Sequence, residues 1–176
     1  INSAIWPLFG VIWDSSRVLA HLMYHFDITG KRILEVGCGI ALSSLVLNSR
    51  AANITATDYH PEVEDYLKEN VSLNKGEAIP FVRTGWADEA SGLGEFDLII
   101  GSDLLYQRDH AELLSGFINQ HARPNCEVII VDPGRGNHPG FSKKMVDLGY
   151  TLTSYKLPSS EILTKPFRGQ ILHYSR

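Results

Sequence analysis

The sequence contains few of the features that mark membrane, secreted or metal-binding proteins. Its longest apolar stretches span only a few residues, whereas a membrane-spanning helix needs about 18. Only 2 cysteines, Cys38 and Cys126, occur in the chain, without a Cys-x-x-Cys pair or a Cys/His quartet. This scarcity excludes a disulfide scaffold and gives no indication of structural zinc. We therefore expect a reduced, soluble, cytoplasmic protein without a membrane segment.

Positive charge is also scarce. Lysine and arginine together number 16 against 20 aspartates and glutamates, so the formal net charge is −4 at pH 7. An acidic chain is a poor electrostatic match for a phosphate backbone, and nucleic acid is not expected as a partner. His21 and His25 have a metal-like spacing, but the chain lacks the glutamate of the HExxH motif, so no metal site is expected.

The length of the chain indicates a single domain. A chain of 176 residues is long enough for one globular core and too short for two. Hydrophobic residues at 44% and charged residues at 20% are close to globular averages. Since no repeat or linker divides the sequence, we expect one domain over residues 1–176. The chain begins with Ile1 rather than Met and has no signal-peptide pattern, which leaves open a further segment upstream of it.

Short β-rich runs alternate with helical patterns along the chain. The central runs are continuously apolar, which is typical of strands buried on both faces of a sheet. Alternation of this kind predicts an α/β fold, a three-layer, Rossmann-like, mostly parallel sheet with helices on both faces. The predicted strands are Arg32–Val36, Ile54–Thr57, Ile79–Arg83, Phe96–Gly101, Glu127–Val131, Tyr150–Tyr155 and Gln170–Tyr174.

The predicted helices have recognisable ends. The first is expected at about residues 13–26, where apolar residues recur at helical spacing. Pro61 is expected at the first position of another helix, because proline suits that position. Asp109 and Glu112 have the spacing of a variant capping box and predict the start of a third helix. A fourth helix is expected to end at Gly149.

The first predicted strand ends in a glycine-containing turn, Glu35-Val-Gly37-Cys38-Gly39. Ligands of open α/β sheets bind at the carboxyl ends of the strands. Two glycines there allow a tight turn and a close approach of the backbone to a ligand, just before a helix begins. The third glycine of the dinucleotide fingerprint would fall at Leu42, which disfavours a nicotinamide-dependent oxidoreductase. Glu35 is a candidate ligand-binding residue, or alternatively a brace for the turn.

Further polar and aromatic residues follow the next strands. Asp58 ends the second strand, where a carboxylate accepts hydrogen bonds from ribose hydroxyls; alternatively it caps the following helix. Trp86 follows the third strand and is suited to flank an adenine, or alternatively belongs to the core. Ser102, Asp103 and Tyr106 end the fourth strand, where the last two are either functional or loop-capping residues. The sequence therefore predicts one nucleoside-binding crevice at this edge.

These motifs carry a family resemblance that covers nearly the whole chain. The sequence resembles the seven-β-strand, S-adenosylmethionine-dependent methyltransferases, and within them the protein-lysine branch. The turn after the first strand looks like that class's first motif, which cradles the amino-acid part of the cofactor. The segment Val11–Leu19 is similar to the branch's upstream segment, whose Trp, here Trp13, reaches the cofactor. The Asp103-x-x-Tyr106 pattern looks like the branch's signature after the fourth strand.

The motif after the fifth predicted strand narrows the resemblance to one subgroup of this branch. Asp132-Pro-Gly-Arg135 looks like the subgroup of electron-transfer-flavoprotein β-subunit lysine methyltransferases and nicotinamide-methylase-like bacterial proteins. Alternatively Asp132 and Arg135 form a surface ion pair in a Pro-Gly turn. The resemblance implies a last strand that is antiparallel, S-adenosyl-L-methionine as cofactor and S-adenosyl-L-homocysteine as product. It also implies that Ser102, like the glycine turn, contacts the cofactor.

The expected activity is N-methyl transfer, with a protein lysine as the leading acceptor. Asp103 would orient the incoming amine and Tyr106 would wall the opening. A small heteroaromatic amine of the nicotinamide kind is the alternative acceptor, and a non-catalytic cofactor-binding module is the alternative of another class. Amino-methyltransferases of DNA and RNA carry two prolines between the corresponding polar and aromatic residues, whereas this chain has Leu104 and Leu105. The oligomeric state is left open.

Overall fold

The computed structural model describes residues 8–89, 91–156 and 163–176. Seven strands form one sheet in the order β3-β2-β1-β4-β5-β7-β6. They are β1 (Arg32–Val36), β2 (Asn53–Asp58), β3 (Phe81–Arg83), β4 (Phe96–Ser102), β5 (Ala122–Asp132), β6 (Thr151–Tyr155) and β7 (Gln170–Ser175). Strands β1 to β5 pair in parallel, and β7 is antiparallel to both β5 and β6. The predicted seven-stranded, mostly parallel sheet with an antiparallel last strand is confirmed.

Helices cover both faces of this sheet. They are α1 (Asp14–His25), α2 (Leu42–Ser49), α3 (Val63–Leu73), α4 (His110–His121) and α5 (His138–Asp147), and a short 3-10 turn spans Leu8–Gly10. The first three helices share a core with one face of the sheet, and α4 and α5 share a core with the other. Among the described residues, no helix has the length and apolarity needed to cross a bilayer.

The apolar runs of the central strands serve both cores. In β4, Leu98 and Ile100 pack toward α1, α2 and α3, whereas Ile99 packs toward α4 and α5. All three side chains are fully buried. Because successive side chains of a strand point to opposite faces, a strand covered on both sides has to be apolar at every position. This requirement explains the continuous Leu-Ile-Ile run that the sequence shows.

One predicted helix start is wrong, and another is right but lacks its predicted side-chain cap. Helix α3 begins at Val63 rather than at Pro61, because the backbone amide of His60 is bound by the Asp58 carboxylate and the chain turns first. Asp109 precedes α4 as expected, but its side chain makes no capping hydrogen bond. The Glu112 carboxylate instead pairs with Lys144 of α5.

The helix that leads to the last two strands ends as predicted. Leu148 is the C-cap of α5, and Gly149 follows it with a φ of +92°, a conformation that favours glycine. Strand β5 differs most from its predicted bounds, since it begins at Ala122 rather than at Glu127. Its first part is held to β4 by an ion pair between Arg123 and Asp97, across an irregular register.

Some connections use left-handed backbone conformations at residues other than glycine. Ala51 and Lys75 have φ values of +55° and +54° in the turns after α2 and α3. Ala41 and Asp103, at +59° and +54°, occupy the loops at the carboxyl ends of β1 and β4. Such conformations cost roughly 1–2 kcal/mol for a residue with a Cβ, so the surrounding contacts must hold them.

Candidate active site

The turn after β1 is held by the carboxylate that ends β2. Gly37 and Gly39 have φ values of +59° and +52°. The Gly39 amide donates to Asp58 Oδ2 at 3.1 Å, and the His60 amide donates to Asp58 Oδ1 at 3.0 Å. Asp58 therefore joins the glycine turn and does not cap α3, so the alternative of a helix cap is wrong. Burial raises the pKa of Asp58, while the two amide donors oppose that rise.

Glu35 lies inside the core beneath this turn. It is 4% exposed, and its carboxylate accepts hydrogen bonds from the backbone amide and the hydroxyl of Ser44 in α2. Burial raises the pKa of Glu35 to about 7, although the Ser44 donors oppose the rise. These contacts are those of a brace between β1 and α2, and a direct contact of Glu35 with the cofactor stays a prediction.

Cys38, between the two glycines, acts through its backbone. Its amide donates to the Thr57 carbonyl at 2.9 Å, which ties the turn to β2. The thiol is 8% exposed, and burial raises its pKa well above the usual value. A protonated, buried thiol is a poor nucleophile, so this side chain has no catalytic character.

A first crevice of about 410 Å³ opens beside β2 and β3 and is lined by Tyr59, Arg83, Thr84, Gly85 and Asp88. The Asp88 carboxylate closes its own loop by accepting from the Gly85 amide at 2.7 Å and from the Thr84 hydroxyl at 3.1 Å. The predicted aromatic Trp86 lies in the same loop but is not part of this lining. Its ring instead meets the ring of His110 edge-on, with centroids 5.0 Å apart.

The loop that follows β4 packs directly on the glycine turn. A Cβ built at Gly37 would lie 2.6 Å from Leu104 Cδ2, and one at Gly101 would lie 2.5 Å from Leu104 Cδ1. Leu104 is 5% exposed. Its side chain therefore occupies the space that both glycines leave free, and it joins the loop 102–106 to the turn after β1.

Backbone contacts fix the same loop on its other side. The Asp103 amide donates to the Val131 carbonyl at 2.9 Å. His110 Nδ1 lies 2.6 Å from the Leu104 carbonyl oxygen, and the Asn137 side chain donates to the Leu105 carbonyl at 2.9 Å. Asp103 thus starts from a rigid backbone despite its left-handed conformation.

Asp103 forms an ion pair with Arg135. Arg135 Nε donates to Asp103 Oδ1 and Arg135 Nη2 donates to Asp103 Oδ2, each at 2.8 Å. Asp132 turns to its own loop, where it accepts from the Gly134 amide at 2.8 Å. The alternative of a surface ion pair between Asp132 and Arg135 is therefore wrong, because the guanidinium reaches across to the neighbouring strand end.

A second crevice of about 630 Å³ contains this ion pair. Trp13, at the start of α1, is 37% exposed and lines it together with Asp103, Arg135 and Phe167. Residues Ile12, Asp14, Lys165 and Arg168 also border it. The structure thus brings Trp13 and Asp103 to one crevice, and contact of Trp13 with the cofactor stays a prediction.

Tyr106 lies between the two sides of the site. It is 42% exposed, and burial is the main cause that raises its pKa, to which the negative charges of Asp58 and Asp103 add. Its ring packs edge-on against His110 with centroids 4.4 Å apart. A phenol near both carboxylates and protonated at neutral pH can donate a hydrogen bond, but Tyr106 is not among the residues that line either crevice, and its role at the opening stays a prediction. Ser102, predicted to contact the cofactor, is the half-buried last residue of β4.

Sequence reasoning missed two residues of this site. His110 is 9% exposed and is packed between the rings of Trp86 and Tyr106. No helical spacing indicates this contact, because Tyr106 lies in the loop before α4 and His110 is the first residue of that helix. Leu104 stands in the sequence where nucleic-acid methyltransferases have a proline, and no periodicity indicates that it fills the space over Gly37.

The strand order, the glycine turn tied to Asp58 and the polar loop after β4 together define a seven-strand S-adenosylmethionine-dependent methyltransferase domain. A family model described as "Lysine methyltransferase" matches residues 8–141, and the chain therefore belongs to the lysine methyltransferase family. The predicted resemblance to this branch is confirmed.

Curated relatives agree with this membership. The chain is 32% identical over 103 residues to Protein N-lysine methyltransferase METTL21A of Danio rerio, a match that covers 54% of this chain and 47% of the relative. It is 29% identical over 161 residues to the electron transfer flavoprotein beta subunit lysine methyltransferase of Rattus norvegicus, covering 86% of this chain and 60% of the relative. The chain therefore spans about half the length of the first relatives it matches.

Solved structures share the fold. The magnesium protoporphyrin IX methyltransferase of Synechocystis PCC 6803, whose structure contains bound S-adenosylmethionine, superposes with a TM-score of 0.67 at 19% sequence identity. The match covers 90% of this chain and 76% of that one.

Proposed function

We propose that this protein transfers a methyl group from S-adenosylmethionine to the side-chain amine of a lysine in a partner protein. The observation that carries the proposal is the packing of Leu104 on Gly37, which joins the loop bearing Asp103 and Tyr106 to the glycine turn. Methyl transfer needs an acceptor and a cofactor held in line, and such coupling of the two loops supplies fixed relative positions. Family membership and the lysine methyltransferases among the relatives support the same conclusion.

The residues at the glycine turn fit the cofactor. At Gly37 a side chain would collide with Leu104, and at Gly39 a Cβ would lie 3.1 Å from the Phe9 carbonyl oxygen, so both positions need glycine. Asp58 would accept hydrogen bonds from the ribose hydroxyls, since a carboxylate has lone pairs beyond the two that the amides of Gly39 and His60 use. When bound, S-adenosylmethionine supplies a methyl group activated by a positively charged sulfur.

The residues at the second crevice would prepare the acceptor. A lysine amine has a pKa of about 10.4 in water and must lose a proton to expose its lone pair. Its nitrogen then bonds to the methyl carbon as the carbon–sulfur bond breaks, the bonding pair goes to sulfur, and the product amine releases a proton to water. Asp103 would accept an N–H hydrogen bond and aim the lone pair, and Tyr106 would limit the angle of approach.

The opening of the crevice favours a protein acceptor. Ile12 and Trp13 are 47% and 37% exposed at its border, and together with Phe167 they give an apolar entrance for the methylene chain of a lysine. The cationic side chains of Lys165 and Arg168 line the same crevice. A nucleic-acid acceptor is not part of the proposal, because the chain is acidic overall.

Isotope transfer tests the proposal. Purified protein is incubated with S-adenosylmethionine labelled in the methyl group and with a lysate of its host, and labelled proteins are digested and analysed for methyllysine. Asp103→Asn should reduce the label about 10²-fold, while Asp147→Asn, a change at an exposed ion pair of α5, should not reduce it. Label confined to small molecules would instead establish the small-amine alternative. Cofactor binding without any transfer would establish a non-catalytic module.

A cytoplasmic location belongs to the same proposal. Cys38 and Cys126 are both buried and unpaired. Free thiols of this kind persist in reducing compartments, which supports a protein that works in the cytoplasm.

A further inference from the structure

The ion pair between Asp103 and Arg135 occupies the place where the proposed function needs an acceptor for an amine hydrogen. Both carboxylate oxygens receive a guanidinium hydrogen bond at 2.8 Å. The Asp103 side chain is 11% exposed and that of Arg135 is 46% exposed. The carboxylate is thus nearly enclosed, while the guanidinium forms part of the open wall of the second crevice.

The loop after β5 is shaped to deliver this guanidinium. Gly134 and Gly136, on either side of Arg135, have φ values of +93° and +88°. The Asp132 carboxylate holds the turn through the Gly134 amide. The side chain of Arg135 can therefore leave its own strand end and reach the end of β4.

Charge near the pair is mixed. The Arg135 guanidinium faces Asp103 most closely and also interacts with the negative charge of Asp132, at the end of β5. Asp14 of α1 borders the same crevice, as do the two cations Lys165 and Arg168. No carboxylate other than Asp103 forms an ion pair with Arg135 in the part of the chain that the structure describes.

An unpaired carboxylate would be a poor partner for a methyl acceptor. Negative charge next to the lysine stabilises its ammonium form, which has no lone pair with which to attack. A carboxylate bound by a guanidinium has little net charge, yet its oxygens keep lone pairs that accept an N–H hydrogen bond. Such a pair orients an amine without holding it protonated.

We propose that Arg135 is a positioning residue that neutralises Asp103, so that the acceptor lysine binds as the neutral amine while Asp103 still aims it. This inference rests on the proposed lysine methylation. Arg135 acts through Asp103 and does not contact the reacting atoms. The two-point guanidinium contact also fixes the plane of the carboxylate, which an ammonium group cannot do.

The test measures kcat against pH for the wild type, Arg135→Met and Arg135→Lys, with a lysine acceptor identified by isotope transfer. Removal of the guanidinium should raise the pH at half-maximal kcat by about 1 and lower kcat at pH 7 by about tenfold. Arg135→Lys should return the pH midpoint most of the way to the wild-type value but recover only part of kcat. Lysine restores the positive charge without the two-point contact of the guanidinium. S-adenosylhomocysteine affinity, measured by calorimetry, should be unchanged in both variants.

Arg123→Met is the matched control. It removes a guanidinium that contacts both oxygens of Asp97, at 2.9 and 2.7 Å. This pair lies at the amino ends of β4 and β5, whereas the crevices lie at the carboxyl ends of the strands. The pH profile of Arg123→Met should equal that of the wild type. An unchanged midpoint in a folded, cofactor-binding Arg135→Met protein overturns the inference and leaves the proposed function intact. A wild type that binds cofactor and methylates no amine overturns the proposed function, and the inference with it.

Discussion

Leu104 lies over Gly37 so closely that a side chain at position 37 would have to displace it. The ideal Cβ position at Gly37 is 2.6 Å from Leu104 Cδ2. One residue belongs to the turn proposed to hold the cofactor and the other to the loop proposed to hold the acceptor, so this packing couples the two parts of the proposed site. A change that separates them should impair cofactor binding and transfer together.

Gly37→Ala tests this coupling. Its left-handed backbone costs about 1–2 kcal/mol for any residue with a Cβ, and the collision with Leu104 adds to that cost. Gly30→Ala is the control, since Gly30 has a similar φ of +68° with nothing within 4 Å of its Cβ position. Urea unfolding should show a larger loss for Gly37→Ala, and only that variant should lose affinity for S-adenosylhomocysteine. Equal losses in the two variants would mean that Leu104 gives way freely.

Asp103 offers a substitution that keeps its backbone. Asparagine adopts the left-handed conformation of Asp103 at a lower cost than alanine does. Asp103→Asn should therefore fold normally, bind S-adenosylhomocysteine like the wild type and lose about 10²-fold in methyl transfer. The carboxamide keeps one acceptor oxygen, but its NH2 group cannot accept the second guanidinium hydrogen bond from Arg135, so the oxygen that aims the amine is no longer held in place. Steady-state kinetics and calorimetry measure both quantities. Full activity in Asp103→Asn would remove this residue from the mechanism.

Asp58 should govern cofactor affinity rather than transfer. Asp58→Asn removes the charged acceptor for the ribose hydroxyls while its remaining oxygen still binds one backbone amide. Loss of a charge-assisted hydrogen bond is expected to weaken S-adenosylhomocysteine binding by about 10- to 100-fold in calorimetry. Asp65→Asn, at an exposed position of α3, is the control and should bind normally. Equal affinity in both variants would show that the ribose is held elsewhere.

The buried Glu35 should make stability depend on pH. Its pKa rises from 4.5 to about 7 on folding, so between these pH values the folded protein holds a proton that the unfolded chain has lost. The free energy of unfolding therefore falls as the pH rises through this window, by about 3 kcal/mol from this group alone. Glu35→Gln keeps an oxygen for Ser44 and should abolish this component. Urea unfolding at pH 5 and pH 8 measures the difference, and parallel losses in both proteins would contradict it.

The sequence predicts the sheet well because its signal is local. Each central strand is an apolar run that only a two-faced burial explains, as at Ile99 and its neighbours. The proximity of Gly37, Gly39 and Asp58 is predicted for the same reason, since they stand at strand ends that a parallel sheet brings together, and their contact with a cofactor stays a prediction.

The acceptor side depends on contacts that no local pattern encodes. Arg135 and Asp103 are 32 residues apart, and their pairing depends on the course of a loop with two glycines. Asp109 and Glu112 have the right spacing for a capping box, yet the Glu112 carboxylate forms an ion pair with Lys144 of α5 instead. The partner of a long side chain depends on which residues the folded backbone brings near it, and the order of residues alone does not show this.

The left-handed turns at Ala51 and Lys75 precede β2 and β3 and so lie on the side of the sheet where the parallel strands begin. Both crevices lie on the other side, where these strands end. Glycine or asparagine at these two places would relieve local backbone conflict without disturbing any group engaged in chemistry. These two positions are therefore a starting point for stabilising the protein for labelling or directed evolution, because the free energy of unfolding can be raised there without changing turnover.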